Sequence, residues 1–310
     1  MLPAKWHKKG RTPKLSELQA YDLCRVGRVT STDEAWTLAR EQERQGKRAL
    51  LAFLLTCPSP TCFVERLLQA QTAEERVARM KCSRIELLEA AGLKACECAV
   101  EGQWHTLAKE ILVNNGHDGT FQQALCKTLS EGRAKMNNLF LLGPPNSGKS
   151  FLVKPLLGVY RCYQQPEGGS YQLEAMLGKE LCFLNDFEWD ASERWCRWAH
   201  FKNFLEGLEL PIGRPKNRGG DTELKSSMPV VGTACVPIVL YARQGRAMVV
   251  NASETAQMDV RVRYLRFAHQ IPDDRLVHNV KACSHCASRL YLEGRPVGPA
   301  PRGRSRSRRR

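Results

Sequence analysis

Four short apolar runs in the middle and the last third of the chain have the length and composition of buried strands. They cover residues 139–142, 180–184, 229–232 and 258–267. The first three are mostly continuous apolar runs, whereas the last alternates apolar residues with arginines. Stretches with helical periodicity separate them. Strands that alternate with helices are typical of a mostly parallel sheet, so the pattern predicts an α/β domain.

The N-terminal third has a helical pattern instead, over residues 16–93. Three pairs of residues have the capping-box spacing, in which two side chains satisfy free N–H groups at a helix start: Ser31 and Glu34, Thr72 and Glu75, and Ser83 and Glu86. The predicted helices include 35–55, one that begins over 63–68, 103–112 and 120–130. Pro58 and Pro60 are expected to end the long amphipathic helix over 35–55.

The turn after the first predicted strand has the full phosphate-loop spacing, GPPNSGKS. In this pattern glycines let backbone N–H groups face phosphate oxygens, a lysine reaches the β- and γ-phosphates, and a hydroxyl ligates Mg²⁺. The predicted nucleotide ligands are Gly143, Pro144, Pro145, Asn146, Ser147, Gly148, Lys149 and Ser150. A turn that merely connects a strand to a helix is the structural alternative.

The second predicted strand ends in polar and acidic residues, Asn185, Asp186 and Glu188. A doubly wound sheet places such groups beside the metal ion and the attacking water. We expect Asp186 to bind Mg²⁺ together with Ser150. An acidic turn that could follow any strand is the alternative, and the position downstream of a phosphate loop favours the functional interpretation.

The third predicted strand ends in Thr233, Ala234 and Cys235, and a polar side chain there would lie beside the γ-phosphate and orient water. The last predicted strand carries Arg261, Arg263 and Arg266, which give it a basic edge. One of these arginines is expected to reach the nucleotide of a neighbouring subunit, as an arginine finger does.

Residues 189–205 predict an aromatic helix in which Trp195, Trp198 and Phe201 share a face. We expect these rings to belong to the core rather than to stack on bases. The loop that follows, 210–223, is rich in glycine and basic residues.

That loop carries Arg214, Lys216 and Arg218 with few acids nearby, so it is a candidate contact for a nucleic-acid backbone. A solvated surface loop explains the same residues equally well.

Charge and composition narrow the classes of partner. The chain has 310 residues and a net charge of +15, which favours a polyanionic partner, nucleic acid first, over solubility alone. The tail over 302–310, RGRSRSRRR, is expected to be disordered and favours nucleic-acid contact or nuclear targeting. No apolar stretch approaches a membrane span, and the basic N-terminus is not followed by the apolar core of a secretory signal.

Thirteen cysteines, an odd number, fit a reducing compartment better than a disulfide framework. Cys96 and Cys98 follow Cys82 at a spacing that matches no zinc pattern, so buried thiols are expected there. Cys283 and Cys286 have the CxxC spacing of half a zinc site. His278 or Cys162 would have to complete it, and two ordinary thiols in a short terminal hairpin are the favoured alternative.

The order of these features resembles the helicase domain of superfamily 3, the viral initiator helicases of parvoviruses, papillomaviruses and polyomaviruses. The segment FQQALCKTLSEGRAKMNNLFLLGPPNSGKSFLVKPL is most similar to the parvovirus-type members, and the resemblance covers about residues 110–270. It implies an AAA+-type α/β fold, Mg²⁺-ATP hydrolysis, hexameric rings and movement along single-stranded DNA.

Carried over by position, the resemblance gives each candidate residue a role. It makes Lys149 and Ser150 the phosphate and metal residues and Asn185 and Asp186 the acidic pair. It makes 214–218 the DNA loop and 233–235 the sensor, with Arg261 or Arg263 as the finger.

Two departures from the family pattern bear on catalysis. The family has two adjacent acids where this chain has Asn185 and Asp186, so Glu188 would have to substitute for the lost carboxylate. The sensor strand of the family ends in asparagine, whereas Thr233 or Cys235 stands there here. ATP binding is therefore better supported than rapid hydrolysis, and an ATP-binding oligomeric module with little turnover is the alternative function. A small-molecule or nucleoside kinase is disfavoured by the net charge.

The expected organisation is a basic flexible arm over 1–15, a helical region over 16–108, and a P-loop ATPase domain over 109–272. A small Cys/His segment over 273–295 and a disordered arginine-rich tail over 296–310 follow. The nicking nuclease of parvovirus initiators carries a pair of metal-binding histidines two residues apart, and none of the seven histidines here has that spacing. Nicking activity is not predicted.

Overall fold

The computed structural model describes residues 14–165, 171–189, 195–214, 220–244, 247–272 and 280–295. The chain divides into two compact units, Met1–Cys82 and Ser83–Arg310. The predicted basic arm, except for its last residues, and the arginine-rich tail lie outside the described residues. The helices over Arg84–Gly92 and Gln103–Asn114 belong to the second unit.

The first unit is helical, as predicted. Its helices are α1 Glu17–Val26, α2 Thr32–Arg44, α3 Ala49–Thr56, α4 Pro60–Gln71 and α5 Ala73–Lys81. Their apolar faces meet in a core that includes Leu50, Leu54, Phe63 and Leu67, each at most 2% exposed. Among the described residues no single helix is long and apolar enough to cross a membrane; the bent pair Ala49–Thr56 and Pro60–Lys81 passes that test by length and composition alone.

The capping predictions in this part of the chain have mixed outcomes. Ser31 accepts a hydrogen bond from the Glu34 N–H and starts α2, as predicted, but the Glu34 carboxylate accepts from the Thr30 N–H and does not complete the box. Thr72 forms no such cap, because its hydroxyl donates to the carbonyl of Leu68 in the preceding helix. The predicted long helix over 35–55 is wrong: it is interrupted between α2 and α3, where Gly46 has a left-handed φ of 83°.

The second unit is built on a parallel sheet, which confirms the predicted α/β class. Within the described residues its order is β2-β3-β6-β1-β9, and every pairing is parallel. The strands are β1 Asn138–Leu142, β2 Cys162–Gln164, β3 Leu181–Leu184, β6 Val230–Ala234 and β9 Val262–Arg266. Two antiparallel hairpins lie outside the sheet, β4 Leu210–Ile212 with β5 Thr222–Leu224, and β7 Tyr241–Gln244 with β8 Ala247–Val250.

Helices cover this sheet. They are α6 Arg84–Gly92, α7 Gln103–Asn114, α8 Thr120–Glu131, α9 Lys149–Val153, α10 Leu156–Val159, α11 Trp198–Leu205, α12 Ala252–Asp259 and α13 Ser284–Leu292, with a short 3₁₀ helix at Gln172–Met176. Ser83 and Glu86 form the predicted capping box at the start of α6. Pro155 lies between α9 and α10, as the N-cap residue of α10.

Alternate side chains of β1 enter two separate cores. Leu139 and Leu141 pack with the helices that include α7, α8 and α13, whereas Phe140 and Leu142 pack against an aromatic cluster. That cluster contains Trp189, Trp195, Trp198 and Phe201, none more than 7% exposed, so these rings are core residues, as expected. The described helix in this region begins only at Trp198, later than predicted.

Two further predictions near the C-terminus need correction. The predicted strand over 258–267 is present but begins only at Val262, because Met258 and Asp259 end α12. The terminal hairpin expected around Cys283 and Cys286 is the helix α13 instead. Its apolar face, which includes Leu290 and Tyr291, is fully buried against the rest of the unit.

Candidate nucleotide-binding site

The loop between β1 and α9 has a conformation that only a glycine-rich sequence permits at two positions. A Cβ atom on Gly143 would lie 2.0 Å from the Phe267 carbonyl oxygen. Gly148 has a left-handed φ of 81°, and a Cβ there would lie 2.8 Å from the Ile111 side chain. Both glycines are therefore required by space as well as by backbone freedom. The loop lies at the carboxyl edge of the sheet, where ligands of open α/β sheets bind.

Lys149 places its charge inside this loop. The side chain is 5% exposed, and its Nζ atom donates to the carbonyl oxygens of Gly143 at 2.8 Å and Pro144 at 2.6 Å. Burial lowers the pKa of Lys149, and the neighbouring Cys235 and Asp186 oppose that shift. The loop thus holds a desolvated ammonium group among backbone groups, an arrangement suited to a phosphate anion.

The acidic end of β3 lies directly across from the loop. The Ser150 hydroxyl donates to Asn185 Oδ1 at 2.8 Å, and the Asn185 amide donates to Asp186 Oδ2 at 2.7 Å. Thr233 is fully buried on β6, and its Oγ1 atom accepts the Asp186 N–H at 2.8 Å. One hydrogen-bonded group therefore joins the Ser150 hydroxyl of α9, the predicted acidic pair after β3 and Thr233 on β6.

A cavity of about 560 Å³ opens at this edge of the sheet. The loop residues from Pro145 to Ser150 line it, together with Asp186 and Cys235. A volume of this size suits a small organic ligand such as a nucleotide.

Two further walls of the cavity were not identified from the sequence. One is α7, which contributes Leu107, Glu110, Ile111 and Asn114, and the other follows β9 and includes His269, Ile271 and Pro272. The sequence predicted α7 as a helix but gave no signal that it faces the loop, since that contact exists only in the folded chain.

Two backbone N–H groups of the wall after β9 bind it to the loop and to the end of α7. The Ile271 N–H donates to the Asn146 carbonyl at 2.8 Å, and the His269 N–H donates to Asn115 Oδ1 at 2.9 Å. The apolar walls and the polar loop therefore belong to one packed assembly. Its apolar side is suited to a nucleobase and its polar side to phosphates.

The residues present fit a nucleoside triphosphate with Mg²⁺. The cradle at Gly143 and Gly148 has no room for side chains, so backbone groups are what it presents. Ser150 and Asp186 supply the hydroxyl and carboxylate oxygens that Mg²⁺ prefers, with Asn185 between them. Lys149 supplies the positive charge among the described lining residues.

Other predicted catalytic residues lie away from this group. Glu188 is exposed and does not line the cavity.

Arg261 is buried, forms an ion pair with Glu206 and precedes β9, so it lies at the amino edge of the sheet, opposite the loop. Arg263 is half-buried within β9, and the exposed Arg266 lies at the carboxyl edge, paired in register with Leu142. Position along the sheet therefore disfavours Arg261 as a finger and favours Arg266.

The predicted nucleic-acid loop is described only in part. Arg214 follows β4, and its Nε atom lies 3.3 Å from Glu174 Oε1. Lys216 and Arg218 lie outside the described residues. The described flanks form a hairpin, β4–β5, and the contact with nucleic acid stays a prediction.

No protein-family model and no curated protein matches the sequence. Solved structures that are similar to the chain include three of the helicase of JCV (JC virus). One, with a bound acetamide compound, has 12% sequence identity and a TM-score of 0.49 over 82% of this chain and 78% of that one. A second has 11% identity and a TM-score of 0.48 over the same shares. The third, with a bound inhibitor, has 11% identity and a TM-score of 0.45 over 82% of this chain and 72% of that one. The parvovirus-type resemblance stays a prediction.

Proposed function

We propose that the protein binds Mg²⁺-ATP at residues 143–150 and hydrolyses it as a nucleic-acid helicase or translocase of the superfamily 3 type. The observation that carries the proposal is the hydrogen-bonded group at the sheet edge. There the Ser150 hydroxyl of the loop contacts Asn185 at 2.8 Å, and Asn185 contacts Asp186. A connecting turn without a ligand gives no reason for this convergence of a buried lysine, a hydroxyl and a carboxylate on one cavity.

Each residue has a physical role in this proposal. Backbone N–H groups of the loop and the Lys149 ammonium bind and orient the phosphates. Ser150 and Asp186 hold the metal ion, which when bound neutralises charge on the phosphate oxygens. Thr233 fixes Asp186 by accepting its N–H and donating toward its carboxylate, 3.3 Å away.

The proposed partner is single-stranded DNA, and the proposed assembly is a homo-oligomer, a hexameric ring. The net charge of +15 supports a polyanionic partner, and Arg214 on the β4–β5 hairpin begins the basic loop that would contact it. The exposed Arg266 at the carboxyl edge of β9 supports a contact between subunits at the nucleotide. With its arginine-rich tail, the protein would act in viral or virus-derived DNA replication in the nucleus.

The test is ATP hydrolysis by the full chain with and without single-stranded DNA, and with RNA of the same length. We expect hydrolysis that needs Mg²⁺, rises with DNA, and falls by about 100-fold in Asp186→Asn. Glu188→Gln, which changes an exposed carboxylate two residues away, is the matched control and should retain activity. Equal hydrolysis in wild type and Asp186→Asn would overturn the proposal.

A second candidate is an ATP-binding module with little turnover, and Asn185 favours it. The amide side chain lies between Ser150 and Asp186 where the resemblance places an acid. If this missing carboxylate limits hydrolysis, Asn185→Asp should raise the hydrolysis rate several-fold while leaving ATP affinity nearly unchanged. Tight ATP binding in wild type without turnover, in the presence of DNA, would favour the module over the enzyme.

A further inference from the structure

Four cysteine side chains from two distant parts of the sequence converge in the second unit. Cys96 and Cys98 lie between α6 and α7, and Cys283 and Cys286 lie at the start of α13. Their sulfur atoms all lie within 4.8 Å of one another. The Sγ–Sγ distances are 3.5 Å for Cys96–Cys286, 3.7 Å for Cys98–Cys286 and 3.8 Å for Cys96–Cys283.

These distances match the edges of a metal-centred tetrahedron. Four sulfurs around one zinc ion, at Zn–S bonds of about 2.3 Å, are about 3.8 Å apart. A disulfide would instead require sulfurs at about 2.05 Å. Each sulfur is near the others without being bonded to any of them, so the cluster has the size of a single-ion site.

A backbone N–H group beside the sulfurs is suited to thiolate ligands. The Glu97 N–H donates to Cys283 Sγ at 3.5 Å. Donors of this kind orient metal ligands and balance part of their negative charge.

Burial is uneven in a way that suits a site closed by its own ligands. Cys283 and Cys286 are 0% and 3% exposed, whereas Cys96 and Cys98 are half-buried. Four ligands from the protein leave no open coordination position, which is typical of a structural rather than a catalytic zinc site.

We propose that Cys96, Cys98, Cys283 and Cys286 bind one zinc ion that fastens the segment before α7 to the start of α13. Sequence spacing marked Cys283 and Cys286 as half of a zinc site, but ordinary thiols were the favoured interpretation there and at Cys96 and Cys98. Cys162, one of the partners considered, directs its sulfur to the Leu156 carbonyl at 3.6 Å, and His278, the other, lies outside the described residues.

The proposed zinc ion would have a structural role, because one of the segments it binds leads into α7, a wall of the nucleotide cavity. α7 follows the Cys96–Cys98 segment directly and carries Ile111, which contacts the loop where Gly148 has no side chain. α13 packs against α6, α7 and α8, and its Tyr291 ring contacts Trp104 edge-on, with ring centroids 6.2 Å apart. The zinc ion would thus connect two segments of the second unit that are far apart in sequence, the one before α7 and the start of α13. Zinc binding does not depend on ATP hydrolysis.

The experiment measures metal content in the full chain, purified without chelators under reducing conditions from zinc-supplemented cells. We expect roughly one zinc ion per chain in wild type and in Cys162→Ser, a control that removes another thiol of the same unit. Cys98→Ser and Cys286→Ser should each lose most of the bound zinc. Iron in place of zinc, a metal content near zero, or undiminished zinc in both variants would overturn the proposal.

A second measurement decides the case if the variants do not fold. Wild-type protein whose zinc is exchanged for cobalt should show a thiolate-to-cobalt charge-transfer band and the intense visible bands of tetrahedral cobalt. Weak visible bands typical of octahedral cobalt, or a protein mass two hydrogens lower that marks a disulfide among these cysteines, would contradict four-sulfur coordination.

Discussion

The phosphate loop and the cysteine cluster differ in the groups with which each would bind an ion. The loop is one continuous segment that works through its backbone, and a side chain at Gly143 would collide with the Phe267 carbonyl. The cluster works through four side chains, and its two halves are 187 residues apart along the chain. A backbone site loses function when one charge is removed but keeps its fold. A site that joins distant segments should lose stability first, and function as a consequence.

The largest effect is expected for Lys149→Ala, which tests whether the loop loses function without losing stability. Among the described residues the hydrogen bonds of Lys149 go only to its own loop, so its removal should reduce ATP hydrolysis by about 100-fold or more without loosening other elements. The thermal midpoint should stay within a few degrees of wild type. Lys154→Ala, an exposed lysine five residues on, is the matched control for hydrolysis and for thermal unfolding. If Lys149→Ala lowered the thermal midpoint as much as the cysteine variants do, the two sites would not differ in their contribution to stability.

Removal of the metal should produce the opposite pattern. Chelation, or Cys286→Ser, is expected to cost about 2 kcal/mol of stability and to lower the thermal midpoint by roughly 4–8 °C, because the link between the ends of the unit is lost. ATP affinity should fall as well, since α7 forms a wall of the cavity. Thermal unfolding by circular dichroism, with zinc added back, checks this. An unchanged midpoint after complete metal removal would show that the cluster does not fasten the fold.

The same contrast explains how much could be predicted from the sequence. The phosphate loop over 143–150 could be predicted because all its parts are contiguous, and Asp186 could be predicted at a strand end because it follows the apolar run 180–184. Ser31 and Ser83 were assigned correctly because caps act over three residues. The long helix over 35–55 failed because the left-handed backbone at Gly46 is not visible in apolar periodicity. The four-cysteine cluster and the α7 wall depend on tertiary contacts that no local pattern contains.

A side chain added to the loop should damage both function and stability. Gly143→Ala places a Cβ 2.0 Å from the Phe267 carbonyl oxygen, so β1 and the segment after β9 must separate, at a cost of about 1–2 kcal/mol. Gly178→Ala is the control, because Gly178 has a φ of 73° but nothing within 4 Å of the added atom. Urea unfolding of both variants separates the collision from backbone strain. Equal losses of unfolding free energy in the two variants would mean that the contact between the added Cβ and the Phe267 carbonyl costs no stability.

The smallest effect is expected at Asp118, which joins α7 to the start of α8 beside the wall of the cavity. Its carboxylate accepts hydrogen bonds from Gln122 at 2.8 Å and Lys109 at 3.0 Å, and these contacts lower the pKa of Asp118. Ionised Asp118 therefore stabilises the fold at pH values above its unfolded pKa of about 3.9, and this contribution is lost as the pH falls through the lowered folded pKa.

Asp118→Asn should accordingly lower stability by only about 0.5 kcal/mol at pH 7, since the pair is partly exposed, and the difference from wild type should vanish in acid. Urea unfolding of both proteins between pH 7 and pH 3 measures it. Glu131→Gln, whose contact with Lys127 spans 3.9 Å between two exposed groups, is the control and should change little at either pH. A difference that grows as the pH falls would mean that Asp118 is held in its neutral form, and that its contact with Lys109 does not secure α7.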